Sequence, residues 1–515
     1  MLLSTLFYQR AKQNAANASA SRIRTPARNA WRRCLTAVTV TASLLVAGLA
    51  ESGLAADSAR RTVLDEYIAA PDASYRFQLV KEIPAEGVKA YLLEMTSQTW
   101  GLAAEVDRTE WKHWLTIYKP ARMDHATGLL MIGSGNNDGR VPEKGRPELS
   151  RIAEATHSVI AELRMAPNQP LTFLGDGHGP RVEDEILAEG WRRYLDTGET
   201  RWLFHLPMTK SAVRAMDTVT AFLASAKGGG VAVGRFVVAG ASKRGWTAWL
   251  TAAVDDRVAG VAPIVIDLPN VKPSFLHHYR VYGFWAPAVK DYFRAGIMDR
   301  MHEPGFERLM AVLDPLTYFE RFEMPKLLVN SAGDQFFLPD SSQFYFDGLL
   351  GEKHIRYVPN SDHSLRNTDA IESITAFYHG MLNGTARPRF SWSFAEDGSI
   401  HVETEDRPSQ VRLWHATNPR HRDFRLESAG PIYSSADLRA QERTAGASGS
   451  PSTRTYIGRV QQPEEGWTAF FVELTYPSGL EKYPFKFTTG VRVPPGTYPH
   501  GEPVPGQTRV GPQKQ

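Results

Sequence analysis

The chain has 515 residues, of which 42% are hydrophobic and 22% charged, so it is long enough for two domains and is neither fibrous nor wholly disordered in composition. Its formal net charge of +3 is unevenly distributed, because residues 1–56 hold seven Lys or Arg and one acidic residue, which leaves the remainder at −3. That balance gives no reason to expect a nucleic-acid partner.

The N-terminal segment has the pattern of an export signal. A basic region ends in Arg32 and Arg33, and an uncharged apolar run follows over residues 35–50, LTAVTVTASLLVAGLA. Gly53-Leu54-Ala55 fits a signal-peptidase site, and the apolar run is shorter than the about 20 residues that span a bilayer. We expect residues 1–56 to be a signal peptide and the mature protein to be periplasmic or secreted, without stable membrane insertion. An uncleaved anchor is the alternative, and both the general and the twin-arginine export routes stay open.

From about residue 60 to residue 385, strand and helix patterns alternate. Short apolar runs bounded by turn residues are typical of strands that are covered on both faces of a parallel sheet. Such runs occupy residues 90–95, 114–118, 128–133, 159–164, 235–239, 258–266, 326–330 and 354–358. Helical spacing of apolar residues separates them, for example over residues 211–226, where Thr209 or Ser211 can cap the start. The pattern predicts an α/β class protein with a doubly wound, mostly parallel sheet over residues 57–387.

From about residue 388 the strands change character and alternate apolar with polar residues. The runs are 390–394, 399–403, 410–415, 455–460, 468–476 and 484–488. We predict a β-sandwich-like domain over residues 388–493. Residues 494–515 are rich in Pro and Gly and poor in apolar residues, which predicts a disordered tail.

One serine occupies a sharp junction between a predicted strand and a predicted helix. Ser242 lies in GASKRG, directly after the strand at 235–239. A turn of this kind, with small flanking residues, holds a nucleophilic hydroxyl clear of the sheet in α/β-hydrolases. The pattern departs from the usual G-x-S-x-G, since Arg244 occupies the second glycine position and Gly245 comes one residue later.

An aspartate and a histidine follow later strands in the order that α/β-hydrolases use. Asp334 comes after the strand at 326–330, and His363 comes after the strand at 354–358. His363 as base can take the serine proton, and Asp334 as acid can orient the imidazole and stabilise its charged form. Asp340 and Asp362 are rival acids, although Asp362 adjoins the histidine in sequence and its side chain should point elsewhere.

A serine hydrolase also needs two donors for the oxyanion of its tetrahedral intermediate. The first should be the backbone N–H of Lys243, the residue after the nucleophile. The second should come from the loop SGNNDG at residues 134–139, where close backbone approach is possible and where we favour Asn136. A plain Gly/Asn turn is the alternative for this loop.

Longer stretches of the chain resemble a known family. They are PNQPLTFLGDG (167–177), MTKSAVRAMDTV (208–219), GASKRGWTAWLTAAVDDRV (240–258), VNSAGDQFFLPDSSQFYFDGL (329–349) and PNSDHSL (359–365). Over roughly residues 60–490 the chain resembles the PhoPQ-activated pathogenicity-related protein family. The resemblance implies an α/β-hydrolase-like fold with a triad of Ser242, Asp334 and His363, and by the family's name a link to virulence. It implies no particular reaction.

An insertion over residues 268–325 separates two predicted strands and is expected to form a cap above the site. Its aromatic residues predict either a pocket wall or the packing of the cap on the body. They include Phe275, His277, His278, Tyr279, Tyr282, Phe284, Trp285, Tyr292 and Phe293. The adjacent histidines do not converge easily on one ion, and the single cysteine, Cys34, lies in the leader, so we expect no metal and no cofactor.

These patterns leave two classes of function. The first is an exported serine hydrolase that cleaves an ester or peptide bond in a small-molecule or peptide substrate. The second is a catalytically silent binding protein that keeps the hydrolase fold. The presence of all three triad residues favours the first, and the sequence indicates no particular oligomeric state.

Overall fold

The computed structural model describes residues 61–441 and 453–512, and the described residues from Thr62 onward form one compact unit. The predicted signal peptide, residues 1–56, lies outside the described residues, so export stays a prediction. Within the described residues, no helix combines the length and the apolar character needed to cross a membrane.

The described part of the chain contains one large mixed sheet of 13 strands and a separate sheet of three strands. The strands are β1 (Arg76–Ile83), β2 (Val88–Thr99), β3 (Glu110–Pro120), β4 (Thr127–Ile132), β5 (Ile160–Leu163), β6 (Arg235–Ala241), β7 (Val258–Ile264), β8 (Lys326–Ser331), β9 (Lys353–Val358), β10 (Phe390–Phe394), β11 (Ile400–Thr404), β12 (Gln410–Asn418), β13 (Ser434–Asp437), β14 (Arg454–Gly458), β15 (Trp467–Tyr476) and β16 (Phe485–Thr488). The large sheet has the order β1-β2-β3-β5-β4-β6-β7-β8-β9-β16-β15-β12-β13. Neighbours from β5 to β9 are parallel, and the strands outside them are antiparallel. Each apolar run predicted as a strand between residues 90 and 358 forms one, although β2 and β3 are antiparallel.

Helices cover both faces of the parallel strands. They are α1 (Val63–Ala69), α2 (Pro147–Thr156), α3 (Asp184–Thr197), α4 (His205–Ala224), α5 (Lys243–Val254), α6 (Val271–Tyr282), α7 (Lys290–Arg294), α8 (Pro304–Leu313), α9 (Ala370–Leu382) and α10 (Leu426–Ala429). In β6, Phe236 and Val238 belong to a core shared with α4 and α5, whereas Val237 and Ala239 belong to a second core shared with α2 and α9. Because successive side chains of a strand point to opposite faces, a strand buried on both sides is apolar throughout.

The helix predicted from residue 211 begins earlier than expected. It starts at His205, after Phe204, which provides no side-chain cap. Thr209 and Ser211 do not cap it, because their hydroxyls donate to the carbonyl oxygens of His205 and Pro207, one turn earlier in the same helix. Both hydroxyls are fully buried, and these bonds within the helix give each of them a hydrogen-bond acceptor.

The C-terminal strands form the predicted sandwich-like arrangement, with one sheet shared with the rest of the molecule. Strands β10, β11 and β14 form a separate three-stranded sheet. Ile400 and Val402 of that sheet share a core with Val472 and Leu474 of β15. Strand β16 pairs with β9, so the second layer of the sandwich is the continuation of the large sheet.

The prediction of a disordered tail over residues 494–515 is wrong for residues 494–512. Backbone hydrogen bonds join Trp285 N–H to Arg509 O at 2.8 Å and Gly511 N–H to Trp285 O at 2.9 Å. The Tyr498 hydroxyl is 2.9 Å from His277 Nδ1. The segment lacks an apolar pattern because backbone groups and single side chains attach it to the insertion.

The insertion between β7 and β8 forms the expected cap. It contains α6, α7 and α8, and the last two pack against α3. Asp314, at the end of the insertion, accepts hydrogen bonds from the backbone N–H groups of Asn270 (3.0 Å) and Val271 (2.8 Å), at its start. The two ends of the cap are thereby held together beside the carboxyl ends of the parallel strands.

Candidate active site

Three predicted site residues lie beyond the carboxyl ends of parallel strands. Ser242 follows β6, Asp334 lies in the loop after β8, and His363 lies in the loop after β9. Open α/β sheets bind their ligands at this edge, because loops from neighbouring strands converge there. The described topology and this placement make the molecule an α/β-hydrolase fold.

Ser242 occupies a strained turn between β6 and α5. Its backbone has φ 59° and ψ −129°, a conformation that costs a residue other than glycine about 1–3 kcal/mol. The turn requires glycine on both sides. A Cβ on Gly240 would collide with the carbonyl oxygen of Arg244, and one on Gly245 would lie 2.8 Å from the carbonyl oxygen of Gly240. The displaced glycine of the motif therefore keeps a packing role in the turn.

His363 and Asp334 form a close hydrogen-bonded pair. His363 Nδ1 is 2.8 Å from Asp334 Oδ2 and 3.0 Å from Oδ1, and the Asp334 side chain is almost fully buried. The carboxylate also accepts the Phe336 backbone N–H at 2.7 Å, and the His363 N–H donates to Gln335 Oε1 at 2.9 Å. Because Nδ1–H donates to the carboxylate, the other ring nitrogen of a neutral imidazole is an acceptor.

That acceptor, His363 Nε2, is buried and has no hydrogen-bond partner among the described residues. The hydrogen bond between nucleophile and base is often long in ligand-free enzymes and shortens in the substrate complex. The ring is also held from one side by Phe336, whose centroid lies 4.3 Å away.

The two rival acids have other partners. Asp340 lies 2.8 Å from His277 Nε2 and accepts a hydrogen bond from Arg422 Nη2 at 2.7 Å, with all three side chains buried. Burial alone would raise the pKa of Asp340, but the charges of His277 and Arg422 outweigh burial and lower it. Asp362 accepts the backbone N–H and hydroxyl of Ser364. Of the three candidate acids, Asp334 is the one in contact with His363.

The predicted oxyanion donors differ in their surroundings. Lys243 is the first residue of α5, so its backbone N–H is among those that lack a partner within the helix. Asn136 lies in the loop after β4, but its side chain is exposed and its backbone forms a bridge with Gln169. Gly133 and Ser134 of the same loop line the cavity beside His363, whereas Asn136 lines no cavity at the site. The assignment of the second donor to Asn136 stays a prediction.

Glu183 is the charged residue at the site that sequence reasoning missed. Its carboxylate accepts hydrogen bonds from Lys243 Nζ at 2.9 Å and Arg244 Nη2 at 2.7 Å, and from Ser134 Oγ and Gln169 Nε2 at 2.8 Å each. Burial alone would raise its pKa, but the hydrogen bond from Arg244 and the charge of Lys243 lower it well below its ordinary value. Glu183 thus joins the start of α5 to the loop after β4.

The only sequence signal for Glu183 is its position before α3, where acidic residues are common. Its backbone, with φ 54° and ψ −128°, is nearly as strained as that of Ser242. Such strain persists only where surrounding contacts enforce it. Gln169 provides two of them, because its side-chain oxygen also accepts the Glu183 backbone N–H at 2.8 Å.

Two cavities adjoin the candidate residues. A small one of about 30 Å³ is lined by Asp184, Trp191, Ser242, Lys243, Trp246, Ile266, Leu268, Phe275, Val289, Tyr292, Phe336 and Phe337. A larger one of about 490 Å³ includes Ser134, Arg146, Glu148, Ala241, Arg244, His363, Ser364 and Arg366 in its lining. Both predicted roles of the cap aromatics therefore occur: Phe275 and Tyr292 line the small cavity, while Trp285 is fully buried in the packing of the cap.

The adjacent cap histidines point to different partners. His277 contacts Asp340 and Tyr498, whereas His278 Nδ1 is 3.2 Å from the Phe336 carbonyl oxygen and its Nε2 accepts the Ala286 N–H. No group of three or more His, Cys, Asp or Glu side chains suited to a metal occurs in the part of the chain that the structure describes.

A second buried carboxylate lies close to the acid loop. Asp267 accepts hydrogen bonds from the hydroxyls of Tyr345 and Tyr357, both at 2.5 Å. Burial raises the pKa of Asp267 to about 7, against the lowering effect of the two hydrogen bonds. Nothing in the sequence marks this residue, because its partners are far from it along the chain.

Comparison with known proteins gives the same family as the sequence motifs. The family model described as PhoPQ-activated pathogenicity-related protein matches residues 64–425. Autocrine proliferation repressor protein A of Dictyostelium discoideum is 37% identical over 460 residues, which cover 85% of this chain and 92% of that protein.

Two solved structures resemble the chain at low identity. Acetyl xylan esterase 1 from Thermoanaerobacterium sp. JW/SL YS485 is 18% identical, with a TM-score of 0.38 over 58% of this chain and 88% of the esterase. The acetyl xylan esterase from Paenibacillus sp. R4 is 16% identical, with a TM-score of 0.42 over 61% of this chain and 90% of the esterase. Likenesses this weak carry no weight for the chemistry of the site. The family model covers more than half of the chain and the Dictyostelium protein most of it, and on these two matches the chain belongs to the PhoPQ-activated pathogenicity-related protein family.

Proposed function

We propose that the protein is a serine hydrolase that cleaves an ester or amide bond through an acyl-enzyme. Ser242 is the nucleophile, His363 the general base and Asp334 the acid that orients it. The observation that carries the proposal is the hydrogen-bonded Asp334–His363 pair, with Nδ1 at 2.8 Å from Oδ2, at the same edge of the sheet as the strained turn of Ser242.

The reaction follows from the roles of these groups. Ser242 Oγ attacks the carbonyl carbon as His363 Nε2 accepts its proton, and Asp334 stabilises the imidazolium that forms. Collapse of the tetrahedral intermediate breaks the bond to the leaving group, which receives that proton from His363. A water molecule then attacks the acyl-enzyme with His363 again as base, which releases the acid and restores the Ser242 hydroxyl.

The ion pairs of Lys243, the first residue of α5, support the proposed role of its backbone N–H as an oxyanion donor. The Lys243 N–H donates to the developing oxyanion, with a second donor from the loop of Ser134 and Asn136. The Lys243 side chain is paired with carboxylates, since its Nζ lies 2.9 Å from Glu183 and 3.1 Å from Asp184. The backbone dipoles, rather than a mobile ammonium group, then stabilise the transition state.

A fluorophosphonate probe tests the proposal directly. The folded protein should be labelled on Ser242, and Ser242→Ala should abolish labelling and lower ester turnover by orders of magnitude. Ser409, an exposed serine directly before β12, provides the matched control, and Ser409→Ala should label like the unaltered chain. A double variant of Ser242 and His363 should be little worse than either single one, because triad members act as a unit.

A catalytically silent binding protein is the second candidate. It is favoured by the Dictyostelium relative, whose name describes a repressor of proliferation and no enzyme activity. A folded protein that neither labels at Ser242 nor turns over any acyl ester would support this candidate and exclude the hydrolase.

We also propose that the chain acts in the periplasm or outside the cell. The basic and apolar pattern of residues 1–56 supports export and cleavage between about Ala50 and Asp57. N-terminal sequencing of exported material checks this, and a mature protein that begins at Met1 would contradict it. A role in virulence is suggested by the family name alone.

A further inference from the structure

The cavity at Ser242 is small, lined mainly by large side chains and mostly apolar. Apart from Ser242 and the indole N–H groups of Trp191 and Trp246, the polar side chains that line it are Asp184, Lys243 and Tyr292. These three are committed to one another, because Lys243 Nζ lies 3.1 Å from Asp184 and the Tyr292 hydroxyl donates to Asp184 at 3.2 Å. The cavity therefore offers an incoming group apolar walls and no unsatisfied charge.

The volume of this cavity limits what it can hold. It measures about 30 Å³, less than a tenth of the cavity beside His363. The small cavity therefore suits a short acyl group, and a long alkyl chain would have to displace the side chains that line it.

The walls that surround the cavity are firmly packed. Trp191 and Trp246 are buried and their rings lie 5.8 Å apart in an edge-to-face arrangement. The Trp246 indole N–H donates to the Leu313 carbonyl oxygen at 2.6 Å, which ties this wall to the cap. Enlarging the cavity would require moving several side chains that contact one another, which costs free energy in a close-packed interior.

The cavity at His363 has the opposite properties. At about 490 Å³ it is more than ten times larger, and Arg146, Glu148 and Arg366 are among the charged residues that line it. His363 returns the proton to the leaving group, so the leaving group must lie on the histidine side of the scissile bond. The acyl group stays attached to Ser242 and lies in the small cavity.

We infer that the substrates are esters or amides of a short acyl group, of acetyl or propionyl size, joined to a larger polar alcohol or amine. The inference rests on the proposed serine hydrolase function and names its substrate class. The small cavity takes the acyl group, and the large cavity takes the leaving group. Each turnover consumes one water and releases the short acid and the free alcohol or amine.

A series of p-nitrophenyl esters from acetate to octanoate measures the size of the acyl site. For the unaltered protein, kcat/KM should fall by tenfold or more once the chain exceeds propionate, because each methylene that a pocket cannot accept costs about 10–200-fold. Turnover that is equal for all chain lengths, or that rises towards octanoate, overturns the inference.

Two matched variants of the cap test which cavity sets this limit. Val289→Ala removes two methyl groups from the lining of the small cavity, and Val281→Ala makes the same change in a buried residue that does not line it. Val289→Ala should raise the ratio of butyrate to acetate turnover about tenfold, while Val281→Ala should leave the ratio unchanged. If both variants change the ratio alike, the small cavity is not the acyl site. Leu268→Val replaces Val289→Ala if that variant does not fold.

The fluorophosphonate probe distinguishes failure of the acyl-size inference from failure of the proposed hydrolase function. If Ser242 is labelled and esters of every chain length react equally, the protein is a hydrolase and only the acyl-size inference fails. If Ser242 is not labelled and no ester reacts, the hydrolase function fails and the substrate class fails with it.

Discussion

Replacement of Glu183 by alanine should destabilise the protein and slow the reaction of Ser242 together. Glu183 is the one carboxylate paired with Arg244 in the described part of the chain, and the Arg244 side chain is 9% exposed. Removing one partner of a buried ion pair leaves a charge without compensation and costs about 3–5 kcal/mol. Lys243 keeps Asp184 as a partner at 3.1 Å. Because Glu183 itself is 35% exposed, water offsets part of the loss, so we expect about 2–3 kcal/mol.

Urea unfolding followed by tryptophan fluorescence measures this difference in the free energy of unfolding. Glu183→Gln keeps the shape and one oxygen acceptor, so it should lose about 1–2 kcal/mol, less than the alanine variant. Glu185→Gln, two residues along and in the first turn of the same helix, is the matched control and should stay within about 0.5 kcal/mol of the unaltered protein. The rate of Ser242 labelling should fall at least tenfold in Glu183→Ala, since displacement of reacting groups by about 1 Å can cost 10²-fold.

The pH dependence of stability provides an independent check. The pKa of Glu183 is lowered on folding, so its contribution is present above its ordinary value of 4.5 and is lost as the pH falls below that value. The unaltered protein should therefore lose stability relative to Glu183→Gln as the pH falls below about 4.5. Equal stability of the alanine variant and the unaltered protein, or parallel pH curves for the glutamine variant, would refute this account.

Three further predictions concern two other buried carboxylates and the C-terminal segment. Asp340→Asn should lower the free energy of unfolding by about 3–5 kcal/mol, because the buried Arg422 loses its carboxylate and His277 loses a hydrogen-bond partner, yet it should retain probe labelling. Asp334→Asn should instead lower turnover by orders of magnitude with a smaller change in stability. Burial raises the pKa of Asp267 to about 7, so the protein should lose at most about 4 kcal/mol of stability as the pH rises from about 4 to 7. Asp267→Asn should remove this pH dependence, which urea unfolding at several pH values measures. Deletion of residues 494–515 should lower the melting temperature and increase hydrogen exchange in the cap helix α6, and unchanged exchange there would show that the tail does not stabilise the cap.

The parts of the fold that were predictable from the sequence are those with a local signal. Strands β4, β6 and β8 are covered on both faces, so each is a continuous apolar run bounded by turn residues. The order of Ser242, Asp334 and His363 was predictable for a related reason. Each residue follows such a strand, and the carboxyl ends of parallel strands converge at one edge of a sheet.

The parts that were missed depend on contacts between residues far apart in the chain. Glu183 and Lys243 are 60 positions apart in the chain. The residues next to Glu183 in the sequence therefore do not show whether its carboxylate pairs with a buried lysine or faces solvent. Asp267 is separated from Tyr345 and Tyr357 by 78 and 90 positions. The tail was misassigned because backbone hydrogen bonds attach it to the cap, and these leave no pattern of apolar residues.

Arg244 occupies the second glycine position of the usual nucleophile motif, and its side chain belongs to the charged cluster of Glu183 and Lys243. An arginine in place of the second glycine brings a cation into a buried position, which requires a carboxylate nearby. Glu183 supplies it at 2.7 Å, and Arg244 Nε also donates to the Ala166 carbonyl oxygen at 2.6 Å in the segment after β5. The packing role of the glycine passes to Gly245, one residue later, where a side chain would collide with the strand. The altered motif therefore keeps the sharp turn at Ser242 and adds two contacts that hold the turn to its neighbouring loops, which is why the departure does not count against Ser242 as a nucleophile.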